Sequence, residues 1–224
     1  MKSQVWRERA VYGSGIAAPI VTLGGAAVAS QGYAEPYSML NQTISALGVA
    51  AESAWHPLFN TSMILGAILL TIFTVGTSII VGSRPGYAVA AAAVFANTGM
   101  AFVGLYPANP ETAREHLLAA ALAFTGILCL SASFSVFIRV TKQDILPRWL
   151  AYPALLNVLC TIAFFAVLAA HETGKISAAT PRIHWISALE WSVLLTIMAW
   201  AFLVALTLRT NLKQRRLNQG QTTN

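Results

Sequence analysis

The chain has 224 residues, of which 56% are hydrophobic and only 10% charged, with a mean hydropathy of +0.63 and a formal net charge of +6. A soluble domain carries about 25% charged residues, so this composition excludes a water-soluble globule and points to a bilayer. The positive charge does not signal nucleic-acid binding, because no basic stretch is interleaved with aromatic residues.

The opening MKSQVWRER is basic, and Ala27-Val28-Ala29 resembles a signal cleavage site. The apolar run that follows the basic start exceeds the usual ~7–15 residues of a signal core. It also contains Pro19 and the glycines 13, 15, 24 and 25, which suit a packed span. It is therefore read as an uncleaved first helix. Six apolar segments follow one another at residues 11–31, 57–82, 86–106, 117–138, 149–170 and 184–208. Each can cross ~30 Å of hydrocarbon as a helix, the form that satisfies its own backbone there. The expected fold class is all-α, a polytopic membrane protein whose six transmembrane helices form one bundle over residues 1–208. Residues 209–224 are basic, then rich in Gln, Asn and Thr, and read as a disordered tail.

The connections differ in character. In residues 32–56, Leu40, Ile44, Leu47 and Ala51 recur at helical spacing, with Asn41, Gln42, Thr43 and Ser45 on the other face. That pattern predicts a short interfacial helix between the first two spans, lying at the membrane surface or capping the bundle. The turn GSRPG at 82–86 is tight and makes spans two and three antiparallel neighbours. Thr112 and Glu115 have the spacing of a helix-capping box before span four, and residues 171–183 read as a polar loop. Cys129 and Cys160 lie in apolar runs without a CxxC or an adjacent histidine, so free packing thiols are expected.

Lysine and arginine set the orientation. Eleven of the fourteen lie at one end of the predicted bundle, and only Arg114, Lys175 and Arg182 lie at the other. The positive-inside rule then places both termini in the cytoplasm and residues 32–56 outside a plasma or inner membrane.

Polar residues cluster at that outer end. His56 and Asn60 open span two, His116 opens span four, His171 closes span five and His184 opens span six. Glu190 lies six residues beyond His184, about 9 Å deeper along a helix. A carboxylate inside a span faces protein or a wet cavity, because exposure to lipid costs about 2.5–3.5 kcal/mol. Ser45, Asn60, His116, Arg182 and Glu190 are the candidate ligand-binding set, converging in a hydrated recess beneath the 32–56 segment. His116 and Glu190 are the candidates for acid–base catalysis. No HxxxH or HExxH is present and no metal site is expected; the absence of GxSxG gives no support to a hydrolase elbow. Asn97, Asn157 and serines 131, 133 and 135 read as interhelical hydrogen-bonding groups. Trp6, Trp55, Trp149 and Trp185 fit interfacial belts, whereas Trp191 and Trp200 lie deeper and read as packing residues.

The segment PYSMLNQTISALG resembles a bacterial six-span family known as domain of unknown function 998. The resemblance rests on Tyr37, Ser38, Ile44, Ser45, Leu47 and Gly48, followed by Phe59-Asn60, Gly104 with Pro107, and His116. Arg182, Ile183, Glu190 and Trp191 complete it, so it spans nearly the whole chain. Tyr106 stands where the family has Phe, and Pro181 stands where it has an acidic residue. The resemblance implies the fold and a membrane location, not an activity or a cofactor. The functional expectation is a protein that handles a lipid or lipid-like amphiphile, with membrane lipids as partners. The alternatives are an intramembrane enzyme acting on a lipid or isoprenoid through His116 and Glu190, and a proton-coupled carrier using Glu190.

Overall fold

The computed structural model describes residues 2–141, 144–174 and 183–221. Six helices follow in chain order: α1 (Lys2–Gln31), α2 (His56–Val81), α3 (Arg84–Leu105), α4 (Ala113–Val140), α5 (Ala151–Glu172) and α6 (Trp185–Gln221). All six are long and apolar enough to cross a membrane. Each packs against its neighbours in sequence, and α6 returns against α1 to close the ring. With an even number of crossings, both termini lie at one end, here termed the terminal end. The α1–α2 connection covers the opposite end as a lid.

Large apolar side chains point outward from the ring, including Leu65, Ile72, Leu117, Val136, Leu159 and Ile162. That exposure is unfavourable in water and neutral in lipid. Trp6, Trp55, Trp149 and Trp185 are exposed, whereas Trp191 and Trp200 are buried. The turn between α2 and α3 is tight because Gly82 adopts φ 64° and the Ser83 hydroxyl accepts from the Gly86 amide. Helices α3 and α4 approach closely at Gly99 and Gly126, where an added Cβ would strike the backbones of Ala123 and Ala96 respectively. Asn157 ties three helices together. It accepts from Ser131 Oγ of α4 at 2.8 Å and donates to Val193 O and Thr196 Oγ1 of α6 at 2.9 and 2.8 Å.

The structure departs from the sequence reading in three places. The interfacial helix shrinks to one 3-10 turn, Ser45–Gly48. Ile44 and Leu47 are buried as the helical pattern implies, but Leu40 and Ala51 are exposed. The rest of the lid is held by tertiary hydrogen bonds rather than by its own helix. Second, the expected disordered tail is helical through Gln221. A 37-residue helix is about 55 Å long, so α6 projects well past the ~30 Å apolar layer. The projection is not free: Arg216 pairs with the buried Glu8 of α1, and Asn211 Nδ2 donates to Ile145 O at 2.6 Å. Third, the capping box does not form. The Thr112 hydroxyl donates to Pro107 O instead, and a 3-10 turn, Pro110–Thr112, leads into α4.

Candidate functional site

The lid is pinned first at its own ends. Ala34 N–H donates to Glu52 O and Ala54 N–H to Gly32 O, at 2.9 and 2.8 Å, forming an antiparallel bridge at Tyr33 and Ser53. Ser53 Oγ donates to Ala29 O at 2.8 Å, joining the bridge to the end of α1. Asn60 Nδ2, in the first turn of α2, donates to Gly48 O at 3.1 Å. A Cβ at Gly48 would lie 2.5 Å from Asn60 Oδ1, so a larger residue there has to displace the Asn60 side chain that anchors the lid.

The middle of the lid is held by α6. Glu190 is 8% exposed and accepts from the Ile44 amide at 3.0 Å and from Ser45 Oγ at 3.3 Å. Trp191 Nε1 donates to Tyr37 Oη at 2.9 Å, and Tyr37 Oη in turn donates to Thr43 O at 3.0 Å. Ser187 Oγ donates to Asn41 O, and His184 N–H to Leu40 O at 2.8 Å. The Tyr33, Tyr37 and Trp191 rings stack edge to face along this seam. Burial, reinforced by the nearby Glu52 and Glu35 carboxylates, pushes the Tyr33 hydroxyl up to about 12. Burial raises Tyr37 as well; Glu190 adds to the rise, and the bond from Trp191 opposes it. Of the residues carrying the family resemblance, Tyr37, Ile44 and Ser45 in the lid and Glu190 and Trp191 in α6 therefore meet in one latch.

Beneath the latch runs a narrow slot of about 60 Å³ between α2, α3, α4 and α6. It extends from Ile44 and Ser45 under the lid to Thr74 and Trp200. From Phe59 to Thr74 of α2 it covers fifteen residues, about 22 Å of depth. Its lining is almost wholly apolar, unlike the hydrated recess expected from sequence. The ionisable groups lining it are His116 and Glu190, near the lid, and its polar lining also includes Ser45 and Asn97. Three of the chain's five methionines, Met63, Met100 and Met198, form part of the wall. Unbranched and soft, they let a wall re-pack around an irregular guest. Two buried nitrogen donors in the lining, Asn97 Nδ2 and Trp200 Nε1, have no hydrogen-bond partner among the described residues.

The candidate residues therefore divide. Ser45, His116 and Glu190 line the slot; Asn60 does not, and serves as a lid anchor. Arg182 lies outside the described residues. His116 Nδ1 pairs with Tyr106 O at 2.8 Å, and no hydrogen bond or ion pair joins it to Glu190. The other imidazoles are spread around the rim. His56 Nδ1 pairs with Ser53 O, His184 Nδ1 pairs with Ser187 Oγ, and His171 is exposed at the end of α5. Among the described residues, no group of three or more His, Cys, Asp or Glu side chains gathers as metal ligands would. Cys129 and Cys160 are free thiols.

Sequence reasoning missed the latch partners Tyr37, Ser187 and Trp191 and the methionine wall. It also read Asn97 and Asn157 alike, although only Asn157 has its amide satisfied. The adjacency of Glu190 and Trp191 in one motif was the available signal for the latch. No curated protein and no solved structure matches the chain. A family model does match, over residues 16–207, and its description is a protein of unknown function, DUF998. The chain, itself a bundle of six helices each long and apolar enough to cross a membrane, belongs to that family.

Proposed function

We propose that the protein binds a single-chain, lipid-like amphiphile in the slot beneath the latched lid. The observation carrying this reading is the slot itself: long, narrow, apolar below, and bounded by Ser45, His116 and Glu190 above. About 60 Å³ is far below the ~300–1,000 Å³ of ordinary ligand pockets, so the closed slot admits a chain only as its wall re-packs. A single chain enters by displacing methionine side chains, and the polar upper end receives the head. The hydrogen bonds of His116 and Glu190 go to separate partners, which favours binding over acid–base catalysis. The excess of Lys and Arg at the terminal end supports an orientation with both termini in the cytoplasm and the lid outside a plasma or inner membrane.

Extraction of lipids from the purified full-length protein tests the reading. The expected result is a single-chain lipid at near-equimolar ratio, lost in the slot-filling variants Ala120→Phe and Val103→Phe while the protein stays folded by thermal-shift measurement. A single-chain lipid content unchanged by both substitutions, or absent from wild type, would overturn it.

A further inference from the structure

We infer that a groove between α1 and α2, on the outside of the ring and separate from the slot, holds an anionic phospholipid, with Arg7 on its phosphate and an acyl chain along the groove.

The first support is shape. The groove encloses about 670 Å³, within the ~300–1,000 Å³ of ordinary ligand pockets. Ala10 and Val11 of α1 and Ile72, Val75, Gly76 and Ile79 of α2 give it an apolar wall, and the exposed Ile72 and Ile79 show that it opens outward. Its floor is the place where Gly76 lets α2 approach the Val11 side chain. That contact levels the two antiparallel helices. Arg7 on α1 and Ile80 on α2 lie four residues from it toward the terminal end, and Thr71 lies five residues from it toward the lid. The groove is therefore about 13 Å long, close to the ~15 Å of one leaflet's hydrocarbon.

The second support is the polar rim. Gln4 and Arg7 border the groove at its terminal end, and both are exposed. Trp6, beside Arg7, is 71% exposed, as a tryptophan at headgroup depth is. The acid of the rim, Glu8, is engaged by Arg216 of α6 and by Gln4 Nε2 at 3.0 Å, so its charge is already matched.

The third support is charge complementarity. By chain position the terminal end carries eleven Lys and Arg but two acidic side chains, Glu8 and Asp144. Such an end attracts anionic lipid, and the groove gives that attraction one defined seat.

The test titrates delipidated full-length protein in detergent with dioleoyl-phosphatidylglycerol and dioleoyl-phosphatidylcholine, and native mass spectrometry reads the affinity of the first lipid bound. Wild type is expected to bind the anionic lipid more tightly. Arg7→Gln is expected to weaken it about fivefold, the value of one arginine beside an anionic head, and to leave phosphatidylcholine unchanged. Arg9→Gln removes the same charge from a residue that does not line the groove, and is expected to leave both lipids unchanged. Ala10→Phe fills the groove at an exposed position and is expected to weaken both lipids; should it unfold by thermal shift, Ala10→Leu takes its place under the same criterion. Ala120→Phe, in the slot, is expected to leave both unchanged, so this inference and the slot reading fail separately. Equal binding of the two lipids by wild type, an equal loss in Arg9→Gln, or phosphatidylglycerol binding untouched by Arg7→Gln or by the groove-filling variant overturns the site. Loss in Ala120→Phe, or a protein dimer that the groove-filling variant abolishes while lipid does not load, overturns it as well.

Discussion

The latch makes a quantitative prediction at Glu190. The Ile44 amide is buried and its acceptor is Glu190 Oε2, 146 residues away in sequence. Glu190→Leu removes that acceptor and the acceptor for Ser45 Oγ together. The closed lid then holds an unsatisfied amide, a cost of about 1–3 kcal/mol, and loses a second bond of about 0.5–1.5 kcal/mol. In the open lid both groups are hydrated, so the difference appears as easier local opening. An opening cost lower by about 2–3 kcal/mol raises amide exchange about 30- to 150-fold. Glu190→Gln keeps one oxygen for Ile44 and offers an amide that the rotatable Ser45 hydroxyl can accept, so its effect is expected to stay within about fivefold, or ~1 kcal/mol. Hydrogen exchange of peptides covering the lid, followed by mass spectrometry, measures this directly. Lid exchange unchanged in Glu190→Leu, or equally accelerated in Glu190→Gln, would refute the latch.

The other predictions concern the scaffold. Asn157→Leu breaks a buried three-helix junction and is expected to destabilise the bundle by about 1–2 kcal/mol in detergent thermal unfolding, since such bonds reach about 1.7 kcal/mol in membranes; an unchanged midpoint contradicts it. Gly126→Ala overpacks the α3–α4 contact and should cost about 1–3 kcal/mol, whereas Gly13→Ala, with nothing within 4 Å of the new methyl, should be neutral in the same assay. A double-mutant cycle of Glu8→Gln and Arg216→Gln is expected to give a coupling of about 1–2 kcal/mol, discounted for the partly exposed guanidinium, and a coupling near zero would leave the α6 projection unanchored. The raised Tyr33 pKa means the folded lid holds its proton more tightly than the unfolded chain, so its contribution to stability is full below pH 10 and falls between pH 10 and about 12. Ultraviolet titration of wild type against Tyr33→Phe should show one tyrosine ionising near pH 12, and a difference centred at pH 10 would contradict the burial.

The helices were legible in the sequence because each is a long apolar run between polar punctuation, and a bilayer leaves such a run few alternatives. The lid was less so. Leu40, Ile44, Leu47 and Ala51 have helical spacing, yet the bonds from Glu190, Ser187 and His184 reach the lid from far along the chain and override that local preference. The α6 projection was misread because composition alone suggests disorder; the buried Glu8 that holds Arg216 sits more than two hundred residues away. At the site, Glu190 was recognisable from the cost of a carboxylate in a span. Its role as an acceptor for the lid backbone was not, since backbone amides carry no sequence mark. Asn97 and Asn157 have the same chemistry in sequence, and only three-dimensional packing distinguishes the satisfied amide from the unsatisfied one.

Photo-crosslinking with a single-chain amphiphile bearing a diazirine at mid-chain tests the central claim most directly. Peptide mapping of the full-length protein in lipid nanodiscs should place adducts on the slot wall at Met100, Ile127 and Met198, with loss of those adducts in Ala120→Phe. Adducts confined to the lipid-facing side chains Leu65, Ile72 and Ile79 would contradict it.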